Sequence, residues 1–305
     1  AFVEKEAALV FSTGYQVNVG TISSLLGRAD YVITDKDDHA SIVDGCRLSL
    51  GTLKRYRHGD LEDMDRVLSQ VPSEAGKLVV TDGVFSMGGD IARLPEMIPI
   101  CRRHGARLMV DDAHGIGVLG GGKGTAFHLG VNDDVDLVMG TFSKSFASLG
   151  GFIAGAEPVI HYIQHHARSL IFSASMPPGN VAAVAAALDV MIEEPERIVR
   201  VNEIGRFMRQ EFQRLGFTIG PSQTPIIPII IGEQYATFLT WRLLFEEGVY
   251  TNPVIPPAVP PNLSLLRTSY MATHTDSQMQ FVLEKFERVG KMLSLINPSQ
   301  STGSA

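Results

Sequence analysis

Cysteine is scarce in this chain: 305 residues contain two, Cys46 and Cys101, far apart and without CxxC spacing. That pair suggests neither a disulfide framework nor a thiolate zinc site, and a reducing cytosol is the default compartment. Long apolar runs are lacking too; none approaches the roughly 18 residues that a membrane-spanning helix needs. The N-terminal stretch has no basic-then-apolar signal pattern. No block of five like charges occurs, and 26 Lys and Arg against 33 Asp and Glu leave a net charge of −7, which argues against nucleic acid as a partner. Two nucleotide signatures are missing: there is no GxxxxGK[ST], and no GxGxxG opens a helix after the first strand-like run. These absences set the expectation of a soluble, cytoplasmic chain with no transmembrane segment and no metal site, leaving peripheral membrane contact open.

What is present is a core. Hydrophobic residues make up 45% of the chain, enough for one large domain or two moderate ones. Strand-length apolar runs recur between helical patterns: ALVFS (8–12), YVITD (31–35), KLVVTDG (77–83), RLMVDDAHG (107–115), LVMGTFS (137–143) and GFIAG (151–155). Near-continuous runs of this kind read as strands buried on both faces, and their spacing predicts an α/β fold with a mostly parallel central sheet and helices on both faces. In such sheets the ligand sits off the carboxyl ends of the strands, where the polar residues after these runs gather. Beyond MPPGN (176–180), a long helix broken near Pro195 is expected, then FTIG, TPIIPIIIG, a helix ending at Gly248, VYTNPVI, a PPAVPP loop (256–261), LLRTS and a last helix over about 276–295. The division expected is a large domain over 1–178, a linking helix and smaller C-terminal α+β domain over 179–295, and a disordered tail over 296–305.

Asp111 and Asp112 follow the run RLMV, with His114 close behind, so ionisable groups are aimed into the ligand crevice. A helix cap and a satisfied turn histidine would explain the same residues. Lys144 lies thirty residues beyond His114 in GTFSKS, again directly after a strand. A lysine near an aspartate and partly desolvated is a candidate Schiff-base former, because burial disfavours its ammonium and frees an amine for carbonyl attack. Thr141 and Ser143 offer hydroxyls, and the glycines beside them let backbone approach a phosphate. A cofactor carrying both an aldehyde and a phosphate meets these features together: pyridoxal 5′-phosphate (PLP), whose ring nitrogen needs a carboxylate and whose aldehyde needs a lysine. Thr13, Gly14 and Tyr15 form a turn suited to a phosphate at a helix N-terminus. His39 offers a flat ring to stack on a pyridine, Ser86 sits in a glycine-flanked loop, and Arg267 ends a strand where it can clamp a carboxylate; a surface arginine is the alternative.

HASIVDG, DGVFSMGGD, VDDAHGIGVLG, GTFSKS, GGFIAG, IFSASMPP and LLRTSYMATHT resemble the signature blocks of the α-oxoamine synthases, fold type I PLP enzymes, over about residues 6–290. The resemblance implies that Lys144 forms the Schiff base, Asp111 pairs with the pyridinium nitrogen and His39 stacks on the ring. It implies that His114 contacts the phenolic oxygen or the substrate carboxylate, with Ser86 nearby. It assigns the phosphate to Gly14, Tyr15 and Thr141, joined by Ser173 of the partner subunit in a homodimer, and the amino-acid carboxylate to Arg267. The activity implied is a decarboxylative condensation of an amino acid with an acyl-CoA. The TFSKS spelling and the PPAVPP loop lean toward members using L-serine and palmitoyl-CoA; siblings using glycine or alanine, or a non-catalytic module of the same fold, are the alternatives. Family members carry a further N-terminal segment that helps bind substrate and partner, so the expectation is a chain lacking that segment.

Overall fold

The apolar runs inside the sheet become strands because both of their faces can be covered. The computed structural model describes residues 1–296. Its first compact unit takes in 1–85 and 91–198. It contains β1 (Ala7–Phe11), α1 (Gly14–Leu25), β2 (Tyr31–Asp35), α2 (Ala40–Leu48), β3 (Thr52–Tyr56), α3 (Leu61–Ser69) and β4 (Lys77–Asp82). There follow α4 (Leu94–Arg103), β5 (Arg107–Asp111), the short α5 (Thr125–His128), β6 (Leu137–Thr141), β7 (Gly151–Gly155), α6 (Glu157–His166), α7 (Arg168–Ile171) and α8 (Pro178–Glu193). The seven strands form one sheet in the order β1-β7-β6-β5-β4-β2-β3. From β6 to β3 the pairs are parallel, while β7 is antiparallel to both β6 and β1.

Alternate residues of the central strands enter opposite cores. Ile33, Val79, Leu108, Val110 and Val138 pack with Met64 and Leu68 of α3 and Met97 and Cys101 of α4. Their neighbours Val32, Leu78, Val80, Met109, Leu137 and Met139 pack with Val17 and Ile22 of α1, Ile42 of α2 and Ile160 of α6. This two-sided burial is why the runs lack polar alternation. The edge strand β3 escapes the apolar-run criterion because it pairs only with β2 and carries Lys54 and Arg55, a charged edge of the kind that blocks further strand addition.

The second unit comprises 86–90 and the chain from 199 onward, so the division falls after Ile198 instead of at 178/179. The reason is packing: Val184, Ala187, Leu188 and Met191 of α8 cover Ile116, Phe142 and Phe146 of the first unit. The predicted helix break is found between α8 and α9 (Glu196–Arg214), where Pro195 supplies no N–H and biases Glu194 away from helical backbone. Then come β8 (Ile226–Gly232), α10 (Gln234–Glu246), β9 (Asn252–Val254), β10 (Ser264–Ser269) and α11 (Asp276–Met292). These strands form an antiparallel sheet in the order β8-β10-β9. FTIG makes no strand; its Ile219 forms an isolated bridge to Ile229. Ile296, included in the expected tail, is buried against the second core, while 297–305 lie outside the described residues.

The second core centres on three rings. Phe212 meets Phe286 at 4.9 Å and Phe217 at 6.0 Å between centroids, and Phe217 meets Phe286 at 5.7 Å, all edge to face. Phe286→Ala deletes the shared ring from a closed site, and a loss of about 3–5 kcal/mol is expected in denaturant unfolding of this unit. A loss below about 1 kcal/mol would show that the site collapses around the gap or is not packed this way.

Candidate active site

Three neighbouring strands end in aspartates. Asp35 closes β2, Asp82 closes β4 and Asp111 closes β5, and Asp82 pairs with Asp111 in the ladder register. The order of strand addition reverses between β2 and β4, so these ends mark the switch point where ligands bind in open α/β sheets. All three carboxylates are buried, and each is met by donors. Asp111 Oδ2 accepts the Asn18 side-chain N–H at 2.6 Å and Oδ1 accepts Ala113 N–H at 3.0 Å. Asp82 Oδ2 accepts His39 N–H at 2.9 Å, and Asp82 N–H in turn donates to Asp38 at 2.8 Å. Asp35 accepts Gly59 N–H at 2.9 Å, and its other oxygen lies 3.1 Å from His58 Nδ1. Burial, followed by the charges of Asp111 and Asp38, pushes the Asp82 carboxyl well above the usual range; the His39 N–H and the charge of Lys144 pull it back.

The adjacent pair Asp111 and Asp112 divides into two jobs. Asp112 faces away from the strand end, accepts both the N–H and the hydroxyl of Thr125 at 2.5 Å, and so anchors the turn that opens α5. Asp111 stays at the strand end. His114 follows on the same turn and is half-buried. His39 is the N-cap of α2: its Nδ1 accepts Ser41 N–H at 3.3 Å and lies 2.7 Å from Ser41 Oγ, and the residue is exposed. The structure thus brings Asp111, His39 and the Lys144 charge around the ends of β4 and β5.

The lysine loop is built by alternation. Phe142 and Phe146 turn into an apolar cluster, with ring centroids 5.3 Å apart, while Ser143, Lys144 and Ser145 remain on the open side. Phe142 N–H to Gly150 O and Ser148 N–H to Phe142 O, both 2.9 Å, close the loop, and Ser145 Oγ donates to Ile116 O at 2.8 Å. Lys144 is therefore on the exposed side in the single chain, because both flanking anchors are phenylalanines that point the other way. The buried Thr141 Oγ1 sits 2.9 Å from Ser143 Oγ and donates to Gly150 O at 3.1 Å.

Gly14, the first residue of α1, is appressed to this strand end: a Cβ there would lie 2.6 Å from Thr141 Oγ1, so only glycine admits the approach. Thr13 caps α1 by accepting Gln16 N–H at 3.2 Å, and the earlier amides of the first turn have no partner from this cap. Tyr15 is exposed and its hydroxyl bonds Asp44, so what it offers here is its backbone. Ser173 Oγ accepts the Gln16 side-chain N–H at 2.8 Å within the same chain. In the second unit Arg267, on the central strand β10, donates Nε–H to Ser86 O at 2.6 Å; burial lowers its guanidinium pKa from the ordinary 12.5.

A buried strand-end carboxylate for a ring nitrogen, a post-strand lysine, and a glycine-lined helix N-terminus beside two hydroxyls together match PLP in donor chemistry. They define a fold type I transferase. A family model for aminotransferase class I and II matches residues 1–286, and the chain belongs to this family of PLP-dependent transferases. It is 51% identical over 294 residues to a serine palmitoyltransferase of Sphingobacterium spiritivorum, spanning 96% of this chain and 74% of that one. It is 40% identical to an 8-amino-7-oxononanoate synthase of Thermoanaerobacter pseudethanolicus, spanning 97% and 75%. The solved serine palmitoyltransferase of Sphingomonas wittichii superposes with a TM-score of 0.95 at 41% identity, over 97% of this chain and 75% of that one. Among the described residues no helix is long and apolar enough to cross a membrane.

Sequence reasoning missed Asn18, Ser41, Asp38 and Asp82. The repeated strand-terminal acid in YVITD, KLVVTD and RLMVD is the signal for Asp82. Asn18 carries a fainter one: asparagine is a poor helix former, and here it stands in mid-helix among Val17, Val19 and Gly20.

Burial pushes the Asp112 carboxyl up to about 7, against the two bonds from Thr125 that favour its charged form. The folded chain then holds this proton more tightly than the unfolded one, whose ordinary value is 3.8. The carboxyl favours folding most below about pH 4, and that contribution is lost as the pH climbs to about 7. Asp112→Asn removes the titration, so Tm is expected to fall less steeply across this window in the variant than in the parent. Parallel pH profiles would show that Asp112 does not titrate there.

Proposed function

We propose that this chain is a PLP-dependent C-acyltransferase that condenses L-serine with a long-chain acyl-CoA, palmitoyl-CoA being the expected donor. The products are 3-ketodihydrosphingosine, CoA and carbon dioxide. The observation that carries the chemistry is Asp111, buried at a strand end beside its ladder partner Asp82, which feels the Lys144 charge. The choice of substrates leans on the 51% identical relative named serine palmitoyltransferase.

When bound, PLP supplies an electron sink for the carbanion formed at the amino acid's α-carbon. Lys144 would hold the cofactor through its side-chain amine and would supply the base for the amino acid's α-proton. Asp111, fixed by the Asn18 and Ala113 N–H groups, keeps a proton on the ring nitrogen. His39 would hold the cofactor's ring against its own flat ring, and His114 would serve proton traffic at the phenolic oxygen or the substrate carboxylate. Gly14, Tyr15, Thr141 and Ser143 would hold the phosphate through backbone amides and hydroxyls, with Ser173 of a second copy joining them in a homodimer. Arg267 and Ser86 belong to the substrate side, Arg267 pairing with the amino-acid carboxylate through its planar fork.

A second reading, a sibling condensation on different substrates, has its own support in the 40% identical relative named 8-amino-7-oxononanoate synthase. Serine, glycine and alanine tested against palmitoyl-CoA and pimeloyl-CoA, with CoA thiol release as readout, separate the two. Serine with palmitoyl-CoA is expected to be turned over fastest; a preference for alanine with pimeloyl-CoA would replace the serine reading. Lys144→Ala is expected to lose the visible absorption band of the lysine-bound cofactor and at least about 10²-fold in turnover. A variant with an unchanged spectrum would remove Lys144 from its role.

A further inference from the structure

We propose that Asn18 is a positioning residue that ties the Asp111 carboxylate and the His39 ring into one hydrogen-bonded unit through Ser41. The side chain of Asn18 projects from the second turn of α1 and is fully buried, as is Ser41 at 2% exposure. Its amide nitrogen donates to Asp111 Oδ2 at 2.6 Å and to Ser41 Oγ at 2.8 Å. An ionised carboxylate only accepts, so the NH2 end of the amide must face it, and both amide hydrogens are thereby spent. Having accepted from Asn18, the Ser41 hydroxyl directs its own hydrogen to His39 Nδ1, 2.7 Å away. Nδ1 also accepts Ser41 N–H at 3.3 Å, so in the neutral ring the hydrogen resides on Nε2. One asparagine therefore sets where the carboxylate stands and holds the Ser41 hydroxyl whose hydrogen reaches the histidine, while Ser41 N–H makes Nδ1 the acceptor.

A purely structural link between α1 and α2 would not call for this residue. Asparagine lowers helix propensity in mid-helix, and its Oδ1 is buried with no hydrogen-bond partner among the described residues. Such an atom carries a desolvation cost that leucine at the same place would avoid. The two donated bonds are what offset it, and both lead to groups nominated for cofactor contact. Asp111 receives two N–H donors, from Asn18 and Ala113, so removing one leaves the carboxylate less firmly held without unseating it.

The consequence for cofactor rests on the PLP reading above, whereas the network itself does not, and the test separates them. The full chain is labelled with 15N-histidine, and the ring nitrogens of His39 are followed without cofactor in the parent, Ser41→Ala and Asn18→Leu. Ser41→Ala is expected to displace the His39 Nδ1 signal. Asn18→Leu is expected to displace it less and to weaken PLP binding, titrated by absorbance, about tenfold or more. The double variant is expected to bind no more weakly than Asn18→Leu alone, because both act on one chain of bonds. A folded Asn18→Leu chain with the parent's PLP affinity overturns the proposal. If that variant fails to fold, Ser41→Ala decides: an unmoved His39 signal overturns the link, and a displaced one supports it. Failure of the parent itself to bind PLP would sink the functional reading while leaving the His39 signals to judge the network.

Discussion

Carboxylates buried at the ends of parallel strands need donors, and meeting that need organises the rest of this chain. Asp35, Asp82 and Asp111 terminate three adjacent strands, and each recruits N–H groups from the loop or helix that follows or faces it. Asp82 fixes the backbone of His39 at the start of α2, Asp111 fixes Asn18 of α1 and the turn at Ala113, and Asp35 fixes the turn at Gly59. Leaving a buried carboxyl without donors is costly, so the loops that supply those donors are held to a narrow geometry.

The same demand separates neighbours of identical type. Asp111 and Asp112 are consecutive, both buried and both hydrogen-bonded, yet strand pleating sends them in different directions. One faces the crevice and takes a side-chain donor from another helix; the other locks a local turn through Thr125. Composition cannot distinguish them. Their partners do.

Much of the sheet was legible, for physical reasons. Six of its seven strands announce themselves as apolar runs: β2, β4, β5, β6 and β7 lie inside the sheet with both faces covered, while β1 is an apolar edge with Val10 exposed, and the residues following those runs mark the crevice. What escaped follows equally from physics. β3 is an edge with Lys54 and Arg55 and so has no run to detect. The role of Asn18 depends on α1 lying against the ends of β5 and α2, a long-range contact that no local spacing encodes. FTIG reads as a strand by propensity, but its pairing is limited to the single bridge between Ile219 and Ile229. The division after Ile198 turns on which cluster the apolar face of α8 joins, since that face alone is compatible with either neighbour.

The exposure of Lys144 follows from how its loop is held. With Phe142 and Phe146 as anchors, the residue between them is forced to the open side, so the chain buys positional accuracy for the lysine without burying it. His39 and Tyr15 are exposed in the same way, while Asp111 and Thr141 beneath them are closed off from water. The gradient runs from buried acceptors to exposed reactive groups. A nucleophilic amine gains from losing its water, and electrostatic interactions strengthen when water leaves. Because the chain's own burial stops at the carboxylates, that drying must come from what settles on top of them: the cofactor, the substrate and, in the homodimer proposed above, a second copy. An isolated chain would then hold the geometry of the site while lacking part of its dielectric, which makes assembly and ligand binding contributors to reactivity as well as to affinity.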